Sequence, residues 1–146
     1  MTPLNSPVEV ERHVLIVEDD PATRRLYKFL LSNAGYSVLE AVDGVAALEQ
    51  LSLHRCSLVI SDMNMPRMDG LELTKTIRRD HPELYVIIIT AFGTPDVEKQ
   101  ALRVGANDYL TKPFEFEELE RRIRLVFEGS TAASQPAPSS TIGNAS

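Results

Sequence analysis

Cysteine is almost absent from this chain, and tryptophan is missing altogether. Because Cys56 is the only cysteine, no internal disulfide can form, and nothing indicates an oxidising compartment. No apolar run approaches the roughly 18 residues that a membrane-spanning helix requires. The first residues also lack the basic and apolar segments of a signal peptide. These absences predict a cytoplasmic protein without a membrane segment.

Surplus positive charge is lacking as well, since 15 Lys and Arg face 21 Asp and Glu, for a net charge of −6. A nucleic-acid backbone is held by an excess of Lys and Arg, so this balance argues against direct nucleic-acid binding. The glycine-rich motifs of dinucleotide and nucleotide-triphosphate sites are absent. His13, His54 and His81 are scattered without metal-ligand spacing. The sequence therefore does not support a site for nucleic acid, a dinucleotide, a nucleotide triphosphate or a histidine-bound metal.

Five short apolar runs alternate with amphipathic segments along the chain. Three of the runs are almost continuously aliphatic, which is typical of strands covered on both faces. Helices that connect parallel strands form right-handed crossovers, so the pattern predicts an α/β fold with a doubly wound parallel sheet. The predicted strands lie at about 13–17, 36–40, 57–61, 85–90 and 108–111.

The predicted helices are marked by residues typical of helix ends. Asp20 followed by Pro21 predicts an N-cap with proline at the first helical position, and Gly35 marks the end of that helix. Further helices are predicted after Asp43, at about 71–80, from Pro95 to Gly105 and at about 115–128. The residues expected to anchor the first helix are Leu26, Phe29 and Leu30.

Composition changes near both ends of the chain. From Gly129 onward small and polar residues dominate and no charge is present. Such a segment cannot bury enough apolar surface to offset its ordering entropy. We therefore expect a flexible N-terminus at 1–10, one globular domain at 11–128, and a disordered tail or inter-domain linker at 129–146.

Polar side chains stand at the ends of four predicted strands, and the carboxyl ends of parallel strands meet at one edge of a sheet. Glu18 and Asp19 follow the first strand, and Asp62 follows the third. Thr90 ends the fourth strand, and Lys112 follows the fifth. Helix capping, turn formation and β-propensity would each explain one of these residues, and we expect Asp20 to be only a cap. Agreement at four strand ends makes a functional site the better interpretation.

The chemistry of these side chains fits a divalent cation and a phosphoryl group. Carboxylates are ligands for a hard cation such as Mg²⁺. A carboxylate such as Asp62 can also act as a nucleophile and form an acyl phosphate. Lys112 could pair with the phosphoryl group as a point charge, and Thr90 could donate a hydrogen bond to it.

At this point the chain resembles a known family, the receiver domain of bacterial two-component response regulators, and specifically the chemotaxis-regulator type. The matching segments are 14–20, 62–70, 90–91 and 109–114. The resemblance covers about residues 11–128. It implies a flavodoxin-like three-layer (βα)5 sandwich whose parallel strands have the order 2-1-3-4-5.

The resemblance also implies roles for individual residues. Asp62 would be the phosphoacceptor, modified to 4-aspartylphosphate by a sensor histidine kinase or a histidine phosphotransfer protein. Glu18, Asp19 and Asp62, with the backbone carbonyl of Asn64, would hold Mg²⁺. Lys112 would contact the phosphoryl oxygen.

A switch is implied by two further positions. Thr90 would move toward the phosphorylated Asp62, and Tyr109 would turn inward from the surface. The surface formed by the fourth helix, the fifth strand and the fifth helix would then change its affinity for a partner or an effector domain, and a phosphorylation-dependent homodimer is possible. The family also implies a cis bond between Lys112 and Pro113.

Two other classes of function stay open from the sequence. A Mg²⁺-dependent aspartyl-phosphate phosphohydrolase would need a general acid two residues after the nucleophile, where Asn64 cannot transfer a proton. A constitutive receiver-like interaction domain is disfavoured because no site residue is missing. We expect a protein that is not an enzyme and catalyses only its own phosphorylation and dephosphorylation.

Overall fold

A computed structural model describes residues 13–132, with side chains described for 13–128. The flexible segment expected at 1–10 lies outside the described residues, as do positions 133–146 of the expected tail. The strands are β1 (His13–Val17), β2 (Ser37–Ala41), β3 (Leu58–Asp62), β4 (Tyr85–Thr90) and β5 (Asp108–Thr111). The helices are α1 (Pro21–Asn33), α2 (Gly44–Leu53), α3 (Gly70–Asp80), α4 (Pro95–Arg103) and α5 (Phe116–Ala132).

The strands form one sheet in the order β2-β1-β3-β4-β5, and all four pairings are parallel. The chain moves outward from β1 to β2 and then returns across β1 to β3. Crossovers between parallel strands are right-handed as a rule, and with that hand the reversal puts α1 on one face of the sheet and α2, α3 and α4 on the other. The predicted doubly wound fold and strand order are confirmed.

Both faces of the three central strands are buried, as their continuous aliphatic runs predicted. On the face toward α2–α4, Leu15, Val59 and Ile88 join Leu73 and Ile77 of α3 in one apolar cluster. The alternate positions of the same strands are equally buried, and they are Val14, Ile16, Leu58, Ile60, Ile87 and Ile89. This packing fixes the register of the strands and hence the level at which each strand ends.

The helix ends follow the predicted residues. The carboxylate of Asp20 accepts a hydrogen bond from the backbone N–H of Thr23 at 2.9 Å, and that of Asp43 accepts one from Ala46 at 2.8 Å. Gly35 and Gly105 follow α1 and α4 with φ of 100° and 114°. A left-handed backbone is easily adopted only by glycine, so these two residues end their helices.

The predicted buried face of α1 is wrong at two of three positions. Leu26 and Phe29 are 52% and 60% exposed, whereas Leu31 is fully buried. Leu30 is half-buried, and so is Tyr27. Tyr27 and Leu31 are themselves spaced i, i+4, so α1 carries two overlapping apolar stripes, and the stripe centred on Leu31 is the one that packs.

Residues up to Phe114 form one compact unit, and residues from Glu115 onward form a second that contains α5. Within α5, Glu118 forms ion pairs with Arg121 and Arg122, the latter at 2.8 Å. The backbone stays helical through Ala132, so α5 extends four residues beyond the predicted helix end at 128. No helix within residues 13–132 is both long and apolar enough to cross a membrane.

Candidate functional site

Three carboxylates converge at the carboxyl edge of the sheet. One oxygen each from Glu18, Asp19 and Asp62 lies within 4.8 Å of the others. Glu18 is buried, Asp62 is partly buried, and Asp19 is exposed. Asp20 caps α1 and is not part of this group, as predicted.

Backbone hydrogen bonds extend the sheet just past its strands and set this geometry. The N–H of Glu18 donates to the carbonyl of Ala41 at 3.0 Å, and that of Met63 donates to Ile89 at 2.8 Å. The N–H of Lys112 donates to the carbonyl of Thr90, also at 2.8 Å. The residues that follow β1, β3 and β5 are thus fixed against the neighbouring strand, which places the side chains of Glu18, Asp62 and Lys112 at one edge of the sheet.

Lys112 brings a positive charge to the carboxylates. Its Nζ lies 3.4 Å from Oδ1 of Asp62 and 3.7 Å from Oε1 of Glu18. Partial burial by itself would lower the pKa of Lys112, but the charges of Asp62 and Glu18 outweigh burial, and the pKa is raised. The ammonium is therefore protonated at neutral pH. The bond from Lys112 to Pro113 is cis, as the resemblance implies.

Burial raises the pKa of both Glu18 and Asp62, because the charged forms lose hydration. The negative charge of Asp19 adds to the increase for each of them. Lys112 lowers both pKa values, as do the backbone N–H groups of Asp20 toward Glu18 and of Asn64 toward Asp62, without cancelling the effect of burial. The ionised forms of Glu18 and Asp62 are therefore less stable in this site than they would be in water.

The donor set suits a hard divalent cation. All three clustered side chains offer carboxylate oxygens, and none offers sulfur or imidazole nitrogen. Oxygen ligands of this kind are preferred by Mg²⁺, Mn²⁺ and Ca²⁺ over softer metals. A cation bound between these oxygens would offset the charge that Lys112 leaves uncompensated. The acidic pocket is thus compatible with a divalent metal ion.

The two predicted switch residues lie beside this edge. Thr90 is fully buried at the end of β4, and its Oγ1 accepts a hydrogen bond from the N–H of Phe92 at 3.1 Å. The hydroxyl of Tyr109 is buried near Gly93 and Thr111, and burial raises the pKa of Tyr109.

Two residues of α1 at the site were missed in the sequence. Arg24 donates from Nη1 to the backbone carbonyl of Glu18 at 2.8 Å. Tyr27 stacks on Phe114, with ring centroids 6.4 Å apart. Burial raises the pKa of Tyr27, and the charge of Lys112 lowers it in part. Their spacing of three residues, close behind Asp20, puts both on the side of α1 next to the site, and that spacing was the available signal.

The chain is similar to known proteins of one family. The sequence model described as "Response regulator receiver domain" matches residues 14–124. A curated relative, response regulator MprA of Mycobacterium sp. (strain KMS), is 38% identical over 123 residues, which is 84% of this chain and 54% of the relative. The chain spans about half the length of the curated relatives it matches.

Solved structures show the same fold. Chemotaxis protein CheY4 of Vibrio cholerae is 33% identical, with a TM-score of 0.76 over 80% of this chain and 99% of that chain. Response regulator protein TrrA of Thermotoga maritima, solved in complex with Mg(2+)-BeF, is 30% identical, with a TM-score of 0.72 over 79% of this chain and 98% of that chain. Residues 14–124, which the family model matches, include the acidic cluster and Lys112.

Proposed function

The chain belongs to the response regulator receiver domain family, and on that premise we propose that it is a phosphoryl-accepting switch of a two-component signalling system. The observation that carries the proposal is the convergence of Glu18, Asp19 and Asp62 within 4.8 Å, with Lys112 Nζ at 3.4 Å from Asp62. The proposed nucleophile, an acidic pocket compatible with a divalent metal ion, and the ammonium of Lys112 thus share one sheet edge.

The proposed reaction is phosphoryl transfer to Asp62. One carboxylate oxygen of Asp62 attacks the phosphorus of a phosphohistidine on a sensor kinase or phosphotransfer protein. An O–P bond forms, the P–N bond breaks, and the imidazole leaves with the bonding electron pair. Lys112 is close enough to Asp62 to pair with an oxygen of the transferred group, and Thr90 can donate a hydrogen bond to it once its hydroxyl turns.

The proposed cofactor is Mg²⁺, which supports transfer by neutralising charge on the phosphoryl oxygens. Glu18 and Asp19 would hold it with Asp62 and the backbone carbonyl of Asn64. The oxygen-only donor set supports this choice, as does the Mg(2+)-BeF complex of the similar regulator TrrA. Because Glu18 is buried and Asp19 is exposed, Asp19 is the better placed to ligate a cation that keeps several waters.

The proposed output is a change in the surface formed by α4, β5 and α5. A phosphoryl group on Asp62 would draw the Thr90 hydroxyl away from Phe92 N–H and stabilise the inward position of Tyr109. The altered surface would act on an effector domain or a separate partner, and a phosphorylation-dependent homodimer belongs to the same proposal. The burial of the Tyr109 hydroxyl and the position of Thr90 at the end of β4 support this coupling.

We further propose that the chain turns over no external substrate, because Asn64 occupies the position of a general acid. The test is incubation with acetyl phosphate and Mg²⁺, followed by intact-mass measurement, alongside an assay for hydrolysis of p-nitrophenyl phosphate. A labile single-phosphoryl adduct without ester turnover is expected. Sustained ester turnover abolished by Asp62→Asn would instead identify a phosphohydrolase, and no adduct under any condition would identify a constitutive interaction domain.

A further inference from the structure

Arg24, near the N-terminus of α1, binds the backbone of the loop that carries Glu18 and Asp19. Its Nη1 donates to the carbonyl oxygen of Glu18 at 2.8 Å. Its Nε donates to Oε1 of Glu40, on β2, at 3.2 Å. The Arg24 side chain is only 15% exposed. One guanidinium thus joins a side chain of the sheet to the main chain at the metal pocket.

The main chain of Glu18 is held from both sides. Its N–H donates to the carbonyl of Ala41 at 3.0 Å, and its carbonyl accepts from Arg24. Its side chain accepts a hydrogen bond from the N–H of Asp20 at 3.1 Å. The carbonyl that Arg24 binds belongs to the peptide joining Glu18 to Asp19. Fixing this peptide plane fixes the position of the Asp19 Cα, from which the side chain leaves the backbone.

Glu40 sets the orientation of the guanidinium. Its second carboxylate oxygen lies 3.2 Å from Nζ of Lys28, so the carboxylate is held between two cations of α1. Arginine presents its N–H donors in a rigid plane and can satisfy Glu40 and the Glu18 carbonyl together. A lysine ammonium at position 24 would keep the charge but could not reproduce this pair of directed bonds.

We infer that Arg24 is a positioning residue for the divalent-cation site, an inference that rests on the proposed function. Arg24 acts through the Glu18–Asp19 peptide and is not itself a ligand. Asp19 is exposed, so no packing of its own side chain fixes its direction. Some residues orient the ligands of a metal without binding the metal themselves. Their removal typically weakens metal affinity about 10–100-fold. Loss of Arg24 is therefore expected to lower the affinity for Mg²⁺. Phosphoryl transfer should slow only where Mg²⁺ is not saturating.

The test compares Mg²⁺ binding by titration calorimetry in the full chain and four variants. Arg24→Lys is expected to weaken binding about 10–100-fold. Glu40→Gln is expected to weaken it less, because Arg24 can still reach the Glu18 carbonyl. The double variant should match Arg24→Lys alone, since Glu40 acts only through Arg24. Arg25→Lys, an exposed neighbour on α1, is the matched control and should bind like wild type.

A second measurement separates positioning from general damage. The Mg²⁺ concentration for half-maximal phosphorylation by acetyl phosphate should rise in Arg24→Lys, while the rate at saturating Mg²⁺ stays near wild type. Circular dichroism verifies that each variant is folded at the titration temperature. If Arg24→Lys is unstable, the inference is tested with Glu40→Gln, which leaves Arg24 in place.

Three outcomes are decisive for the inference. Wild-type Mg²⁺ affinity in both Arg24→Lys and Glu40→Gln overturns the positioning role, and so does equal weakening in Arg24→Lys and Arg25→Lys. Absence of Mg²⁺ binding in the wild type overturns the proposed cation site itself, and with it the inference. If the wild type binds Mg²⁺ but is not phosphorylated, the proposed function is wrong. The role of Arg24 in Mg²⁺ binding can still be measured in that case.

Discussion

At the scale of single residues, the acidic pocket is a place where charge opposes folding. Glu18 and Asp62 are withdrawn from water beside the charge of Asp19, and Lys112 provides one positive charge among three negative ones. Like charges at this distance destabilise one another unless a cation offsets them. The fold holds these groups together because their strands are buried and their backbone bonds are made, so the site stores electrostatic free energy that a ligand can release.

We therefore predict that Asp62→Asn abolishes phosphorylation and stabilises the metal-free fold. The substitution removes one partly buried negative charge and leaves Lys112 paired with Glu18. We expect a gain of about 0.5–2 kcal/mol in the free energy of unfolding, measured by urea denaturation in the presence of a chelator. Asp80→Asn, at an exposed carboxylate paired with Arg79, is the control. A loss of stability in Asp62→Asn would contradict the electrostatic account.

Mg²⁺ binding should weaken as the solution is acidified. A carboxylate must be ionised to ligate the cation, and the pKa values of Glu18 and Asp62 are raised. Affinity should fall as the pH drops through these raised values, before it reaches the ordinary carboxyl range. Calorimetry across a pH series, in buffers of different ionisation enthalpy, would record both the lost affinity and the protons released.

Stability without metal should change with pH in the opposite sense. As the pH rises, the unfolded chain releases these two protons before the folded chain does, so the folded state binds more protons in that window. The free energy of unfolding contributed by Glu18 and Asp62 therefore decreases with rising pH and is fully lost above their folded-state pKa values. Mg²⁺ affinity that is constant down to the ordinary carboxyl range would contradict both expectations.

At the scale of secondary-structure elements, the ends of helices were more predictable than their buried faces. Asp20, Asp43, Gly35 and Gly105 were identified in the sequence because caps depend on local backbone geometry. The buried face of α1 was not, because the stripe that packs is chosen by contacts with the sheet. Exposed apolar residues are common on folded proteins, so the sequence alone could not predict that Phe29 is exposed.

The N-terminus of α2 is joined to the loop after β3 through Asp43. Its carboxylate caps α2 and also accepts a bond at 2.6 Å from Nε of Arg67, which has a φ of 67°. The two bonds lower the pKa of Asp43, the one from Arg67 contributing most. Gly44 lies close to Met68. A Cβ added at position 44 would be 2.7 Å from the Met68 side chain.

We predict that Asp43→Ala destabilises the fold by about 1–2 kcal/mol, because α2 loses its N-cap. Asp43→Asn keeps a capping oxygen but loses the charge opposite Arg67, and it should cost less. Denaturant unfolding of the two variants in parallel measures the difference. Equal costs would mean that the ion pair, and not the cap, carries the contribution of Asp43.

Gly93 should control the position of Tyr109. A Cβ at Gly93 would lie 2.9 Å from the Tyr109 hydroxyl oxygen, and closer still to Thr111 Oγ1. Gly93→Ala is therefore expected to displace the hydroxyl toward solvent. Because burial raises the pKa of Tyr109, displacement should lower it, which can be read from the ultraviolet titration of Gly93→Ala against Gly93→Ala/Tyr109→Phe. An unchanged pKa would show that Thr111 moves instead.

At the scale of the whole molecule, the sequence predicted the doubly wound sheet and the residues that meet at its edge. Both follow from continuous aliphatic runs and from the rule that parallel strands end together. Arg24 was not predicted, because its three-residue spacing from Tyr27 indicates a shared side of α1 but not the contacts with β2 and with the loop after β1. The helical backbone of 129–132 was also missed, since small and polar residues there gave no sign that α5 continues.

The central claim is that, among the 21 carboxylates of Asp and Glu in this chain, Asp62 alone accepts a phosphoryl group. Borohydride reduces an acyl phosphate to an alcohol, so reduction after incubation with acetyl phosphate and Mg²⁺ marks the modified residue for peptide mapping by mass spectrometry. The account predicts one reduced site per chain, at Asp62, which is lost when Mg²⁺ is chelated. Reduction at another carboxylate, or none in the presence of Mg²⁺, would contradict it.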